Sequence, residues 1–204
     1  SKLGVELSKS NGKVDFDWLK RNGIDFVMLK IGGRGYESGV ISLDEQFTDY
    51  IEAAKKADLD IGVSFYSQAV SVTEAVEEAN FVVNQLQSYT IRYPVALVME
   101  EITNDTARTD TLSVDQRSRI AEAFLQTIRY DGYHAILYGN EQWLMEKIRP
   151  DGLLTDYDVL LNDTNPLPEY PYEFKMWRYA TDISLAGIEN GGAYIISFVD
   201  YSMK

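Results

Sequence analysis

Short apolar runs alternate with amphipathic stretches along most of this chain. Runs rich in β-branched and aromatic residues predict strands over residues 3–7, 25–31, 60–66, 95–100 and 134–138. Between them, apolar residues recur at helical spacing. Phe47, Tyr50, Ile51 and Ala54 predict a helix over residues 44–56, and Ala75, Ala79, Val82, Val83 and Leu86 predict one over residues 73–88. Val114, Ala121, Phe124, Leu125 and Ile128 predict a third over residues 113–130. Ser71 with Glu74, and Ser113 with Gln116, have capping-box spacing at two of these starts. Shorter helices are expected over residues 16–21, between an Asp15 N-cap and a Gly23 stop, and around residues 142–148.

After residue 150 the rhythm changes. Strand-like runs over residues 157–161, 174–179 and 194–199 are joined by loops rich in Pro, Asn and Gly, without a strong helical pattern. This makes about eight strands and about five helices. No repeat or linker divides them, so residues 1–204 read as one domain. The strand–helix rhythm implies a parallel sheet with right-handed crossovers. Eight such strands imply an α/β fold closed into a single TIM-like barrel, irregular and poor in helices in its last third.

Composition removes several function classes. The 204 residues carry 32 acids against 19 bases, a net charge of -13. No basic stripe is available for nucleic acid or for an anionic membrane surface. No apolar run reaches the ~20 residues of a membrane span. Residues 1–4 do not resemble a signal peptide. With no cysteine and one histidine, His134, the chain has no thiolate metal site and cannot readily build a His-rich one or a Ser-His-Asp triad. No cofactor or metal is expected. Acid–base chemistry must fall to carboxylates and to the 14 tyrosines.

The run Pro94-Val95-Ala96-Leu97-Val98-Met99-Glu100-Glu101 concentrates that chemistry. A buried strand ends in two acids, where α/β barrels keep their sites. Alternation sends Glu100 the same way as Val98 and turns Glu101 away. Glu6 and Asp200 also lie at or near predicted strand ends, so barrel closure is expected to gather Glu6, Glu100 and Asp200 at one mouth. Clustered carboxylates can divide into a raised-pKa acid and an ionised partner, as glycoside hydrolysis requires. Tyr66, Tyr138, Trp177 and Tyr179 are candidates for stacking on sugars. Ile31-Gly32-Gly33-Arg34-Gly35 fits neither phosphate-loop spacing and reads as a tight turn, and His134 reads as structural.

In order along the chain, several segments resemble glycoside hydrolase family 25, the bacterial and phage lysozymes. Gly4-Val5-Glu6-Leu7-Ser8 is similar to the family's opening Gly-Val-Asp-Val-Ser. Gly23-Ile24-Asp25-Phe26-Val27, Ala53-Ala54-Lys55-Lys56-Ala57, Ile61-Gly62-Val63 and Phe65-Tyr66-Ser67 resemble its next elements, and Thr73-Glu74-Ala75 with Glu78-Ala79-Asn80-Phe81 its third helix. Gly132-Tyr133, Tyr138-Gly139-Asn140, Trp143-Leu144, Met176-Trp177-Arg178-Tyr179 and Val199-Asp200 follow in the same order. The resemblance implies an irregular α/β barrel that cleaves peptidoglycan with Glu100 as general acid, supported by Glu6 and Asp200. It implies peptidoglycan or a related amino-sugar polymer as partner, a monomer, and action outside the cytoplasm or at the cell wall.

The departures from that pattern fall on the chemistry. The family's Asp-x-Glu reads Val98-Met99-Glu100 here. The opening Asp is Glu6, Ser10-Asn11 stand where Trp-Gln is usual, Lys30 replaces an arginine, and a tryptophan usual near Leu160 is missing. An oxocarbenium-like transition state needs negative charge or an anchored acetamido group beside it, and valine supplies neither. Such a loss typically costs roughly 10²–10⁴-fold in rate. The expectation is therefore a hydrolase of reduced or altered activity. The alternatives are a weakened cell-wall glycan binder and a hydrolase of a different amino-sugar glycan.

Overall fold

The computed structural model describes residues 1–203. The chain runs β1 (Lys2–Leu7), α1 (Phe16–Arg21), β2 (Phe26–Arg34), β3 (Ile41–Leu43), α2 (Phe47–Lys56), β4 (Asp60–Tyr66), α3 (Val72–Leu86) and β5 (Val95–Val98). It continues through α4 (Val114–Tyr130), β6 (Ala135–Gly139), α5 (Glu141–Glu146), α6 (Leu153–Asp156), β7 (Asp158–Asn162), β8 (Met176–Ala180) and β9 (Ala193–Ser197).

Side-chain caps set the helix starts. The Asp15 carboxylate accepts from the Trp18 amide at 2.8 Å. Ser113 and Gln116 exchange both capping-box bonds, at 2.9 and 3.1 Å. At α3 the expected box is only half made. Ser71 accepts from the Glu74 amide at 3.2 Å, but the Glu74 carboxylate reaches back to the Val70 amide and to Arg108.

Eight strands close in the order β1-β2-β4-β5-β6-β7-β8-β9, with β9 returning to β1. The expected barrel is present, and the expectation of a parallel sheet holds from β1 through β8. It fails at β9, which is antiparallel to both β8 and β1. No helix separates β8 from β9, so the chain turns back instead of crossing over. The ninth strand, β3, pairs antiparallel with the end of β2 outside the closed ring.

The glycines after residue 31 are therefore not a tight turn. Gly32 and Gly33 extend β2 through a bulge. A Cβ on Gly32 would sit 2.2 Å from the Ser42 carbonyl oxygen, so β3 can approach only a glycine.

Alternation divides each strand between two cores. Outward residues such as Val5, Leu29, Val63, Leu97 and Leu137 pack under the helices. Inward residues Phe26, Met28, Ala96, Val98, Ile136, Leu160, Met176 and Ile195 fill the barrel. Its lower end is plugged by aromatics. Phe26 stacks on Tyr93 at 4.1 Å, and Tyr201 meets both Tyr93 and His134. The single histidine thus belongs to the floor, at the end opposite the strand carboxyl termini. Polar side chains replace this apolar filling at the upper end.

Candidate active site at the barrel mouth

Four strand ends deliver the principal polar groups. β1 brings Glu6, β2 brings Lys30, β7 brings Asn162 and β8 brings Arg178. All four follow the inward parity of their strands. Arg178 Nε donates to Glu6 Oε2 at 2.7 Å, and its Nη1 donates to Asn162 Oδ1 at 3.0 Å. Lys30 Nζ sits 4.2 Å from the centre of the Tyr66 ring, a cation–π distance. Tyr66, Val98 and Tyr138 lie side by side in register on β4, β5 and β6.

Glu100 emerges just past β5. The exit of that strand is fixed by the Ser67 amide, which donates to the Val98 carbonyl at 2.8 Å. Gln68 Nε2 donates to the Glu100 carbonyl at 3.5 Å, and Thr109 donates to Gln68 Oε1 at 3.1 Å. Behind this turn lies a buried ion pair. Arg34 Nε donates to Glu78 Oε1 at 2.8 Å, with side chains only 5% and 0% exposed. Glu78 also acts electrostatically on Ser67 and the Gln68 backbone, while its Oε2 makes no hydrogen bond among the described residues. The Arg34–Glu78 pair thus lies behind Ser67 and Gln68, the residues that hold the exit of β5.

The mouth opens into a run of pockets. One of about 310 Å³ is lined by Glu100, Tyr138, Asn140, Trp143 and Asn162. A second of about 510 Å³ is lined by Glu6, Ser10, Lys30, Tyr66 and Arg178. A third of about 440 Å³ shares Glu100 with the first and continues past Gln68 and Arg117. Such a run is suited to an extended chain rather than a compact ligand.

The Glu100 side chain is open to solvent, yet its pKa is raised. The protein around the carboxyl strips water from it, and the negative charge of Glu6 adds to the effect. Arg178 and Lys30 oppose the rise without cancelling it. Burial and the charge of Glu6 push the Tyr66 and Tyr138 phenols far up, so both act as neutral donors. Burial disfavours the Arg178 charge, but Glu6 and Tyr138 outweigh it and raise its pKa.

Of the residues expected here, Glu6, Glu100, Tyr66 and Tyr138 share the mouth. Asp200 does not. Because β9 runs antiparallel, the segment after it leaves the opposite end, where Asp200 pairs with Lys2 at the start of β1 at 3.6 Å. Trp177 and Tyr179 are also displaced. Their parity on β8 points them outward, where Trp177 Nε1 donates to the Asp163 carbonyl and Tyr179 stacks on Tyr194. Arg178 between them takes the inward place. Glu101 turns away to pair with Lys147 at 2.8 Å. Arg178 and Asn162 were missed as site residues, although the strand parity of residues 176–180 and 158–162 already turned them inward.

The sequence model of "Glycosyl hydrolases family 25" matches residues 5–188. The chain belongs to glycosyl hydrolase family 25. Among solved structures it is similar to the CTP1L endolysin, with 18% identity and a TM-score of 0.80, covering 100% of this chain and 68% of that one. It is similar to the bacterial lysozyme from Streptomyces coelicolor, with 16% identity and a TM-score of 0.79, covering 98% and 93%. It is also similar to the modular autolysin LytC from Streptococcus pneumoniae in complex with a synthetic peptidoglycan ligand, with 20% identity and a TM-score of 0.78. That match covers 95% of this chain but 46% of LytC. At these identities the likeness is one of fold. No curated protein sequence matches this family 25 member. Among the described residues, no helix is long and apolar enough to cross a membrane, and no group of three or more His, Cys, Asp or Glu side chains could hold a metal.

Proposed function

We propose that this family 25 protein is a lysozyme-type hydrolase of peptidoglycan or a related amino-sugar polymer, acting at cell walls outside the cytoplasm. The observation that carries the reading is Glu100, a carboxyl of raised pKa at the mouth of the barrel. A protonated carboxyl can give its proton to the glycosidic oxygen as the bond breaks. Tyr66 and Tyr138 line the groove and present phenolic donors to the sugar.

The charge opposite the departing sugar is the weak part of the machinery. Val98 is fully buried among apolar neighbours and brings no charge to the oxocarbenium-like transition state. At the mouth end of the inner face the strands supply the Glu6 carboxylate, and Arg178 neutralises much of it. Turnover below that of an Asp-x-Glu site follows. The same two observations favour a second reading, in which the protein binds wall glycan and cleaves it inefficiently.

Solubilisation of purified peptidoglycan by wild type, Glu100→Gln and Val98→Asp separates the readings. Wild-type release that falls at least 10²-fold in Glu100→Gln supports the hydrolase. No wild-type release, with a gain in Val98→Asp, supports the binder. Release undiminished in Glu100→Gln removes Glu100 from the reaction.

A further inference from the structure

The inner mouth carries two cations in a protein whose net charge is -13. Neither is fully used by the fold. Among the described residues Lys30 forms no salt bridge; it rests over the Tyr66 ring at 4.2 Å and acts on Glu100 only at longer range. Arg178 spends Nε on Glu6 and Nη1 on Asn162, while Nη2 takes no partner among the described residues. Both side chains line the same pocket of about 510 Å³, next to Tyr66 and the hydroxyls of Ser8 and Ser10; two carboxylates line it too, Glu6, already paired with Arg178, and Asp182, which is exposed at the rim. Ser64, beside Lys30 in register, buries a hydroxyl that has no hydrogen-bond partner.

An ammonium held over a ring and a guanidinium edge opening into one pocket suit an anion better than a neutral sugar. The long-range field does not bring an anion here, since the chain as a whole repels it. The selectivity must come from contact, where water is partly excluded and a charged hydrogen bond counts for more. Arg178 lines this pocket and its partner Asn162 lines the one beside Glu100, so an anion held here would sit on a ring close to the scissile linkage.

We propose that Lys30 and Arg178 bind a carboxylate carried on the sugar chain, making this protein selective for acidic glycans. This deepens the hydrolase reading and rests on it for the identity of the groove, but it is a claim about binding. Two sources share the chemistry: the lactyl carboxylate of muramic acid freed of its peptide, and the ring carboxylate of a uronic acid.

Calorimetric titration of the intact protein tests it with four probes: the peptide-free tetrasaccharide of alternating N-acetylglucosamine and N-acetylmuramic acid, its methyl ester, chitotetraose and tetragalacturonate. The free acid is expected to bind roughly tenfold or more tightly than its ester, the worth of one charge-assisted contact. That preference should shrink with added salt and collapse toward one in Lys30→Met. Arg178→Lys, which keeps the charge but loses the fork, should retain only part of it. Tight binding of tetragalacturonate without the muramic acid probe assigns the uronic source. Equal binding of acid and ester, or an unchanged ratio in Lys30→Met, overturns the proposal. Because binding is read without turnover, a protein that selects the acid but cleaves nothing would sink the hydrolase reading and leave this one standing.

Discussion

Replacing Arg178 by glutamine, the residue usual in the family's Met-Trp-Gln-Tyr segment, perturbs stability and acid chemistry together. The Arg178–Glu6 pair has a 2.7 Å contact and side chains 19% and 15% exposed. An exposed pair is worth about 0–1 kcal/mol, and breaking a fully buried one costs about 3–5 kcal/mol. A pair this shielded but still wetted falls between, so Arg178→Gln should cost about 2 kcal/mol. In a domain of this size that lowers Tm by about 4–8 °C. The second effect has a fixed sign. Arg178 holds the Glu100 pKa down, against burial and Glu6. As the proposed proton donor Glu100 must be protonated, so kcat is expected to fall as pH rises through that pKa. Without Arg178 the pKa moves up and the falling limb of the kcat profile shifts to higher pH. Thermal unfolding and kcat–pH profiles on solubilised wall glycan read both effects. An unchanged Tm, or a falling limb that moves to lower pH, would refute the reasoning.

Other substitutions test the supports of the site. Glu78→Ala removes the buried partner of Arg34, which keeps Glu77 at 2.9 Å, and should cost about 2–4 kcal/mol, read as a Tm loss of roughly 4–16 °C. Gly32→Ala drives a Cβ to 2.2 Å from the Ser42 carbonyl, so chemical unfolding should show a loss of about 2 kcal/mol or more as β3 is displaced. Ser113→Ala removes one cap of α4 and should cost about 1 kcal/mol in denaturant titrations.

Much of the barrel was legible because its signals are local. Helical stripes and side-chain caps mark α1, α3 and α4, and unbroken apolar runs mark β5 and β6. Parity along residues 95–101 separated Glu100 from Glu101 before any geometry was known. What failed was non-local. Nothing in residues 193–200 reveals that β9 runs backward, and that reversal alone sends Asp200 to the floor with Lys2. Trp177 and Tyr179 were assigned to the mouth by residue type, although Met176 and Arg178 alternate with them and had to face the other way. β3 was missed because three residues carry too little pattern, and the glycines that accommodate it resemble a turn.

The central claim is that Glu100 delivers the proton to the departing sugar. A substrate whose leaving group needs no proton isolates that step. The measurement is the ratio of Glu100→Gln to wild-type kcat/KM on peptidoglycan and on an aryl amino-sugar glycoside with a strongly acidic phenol as leaving group. The account predicts a loss of roughly 10²–10⁴-fold on peptidoglycan and a far smaller loss on the aryl glycoside. Equal losses on both substrates, or no loss on peptidoglycan, would contradict it.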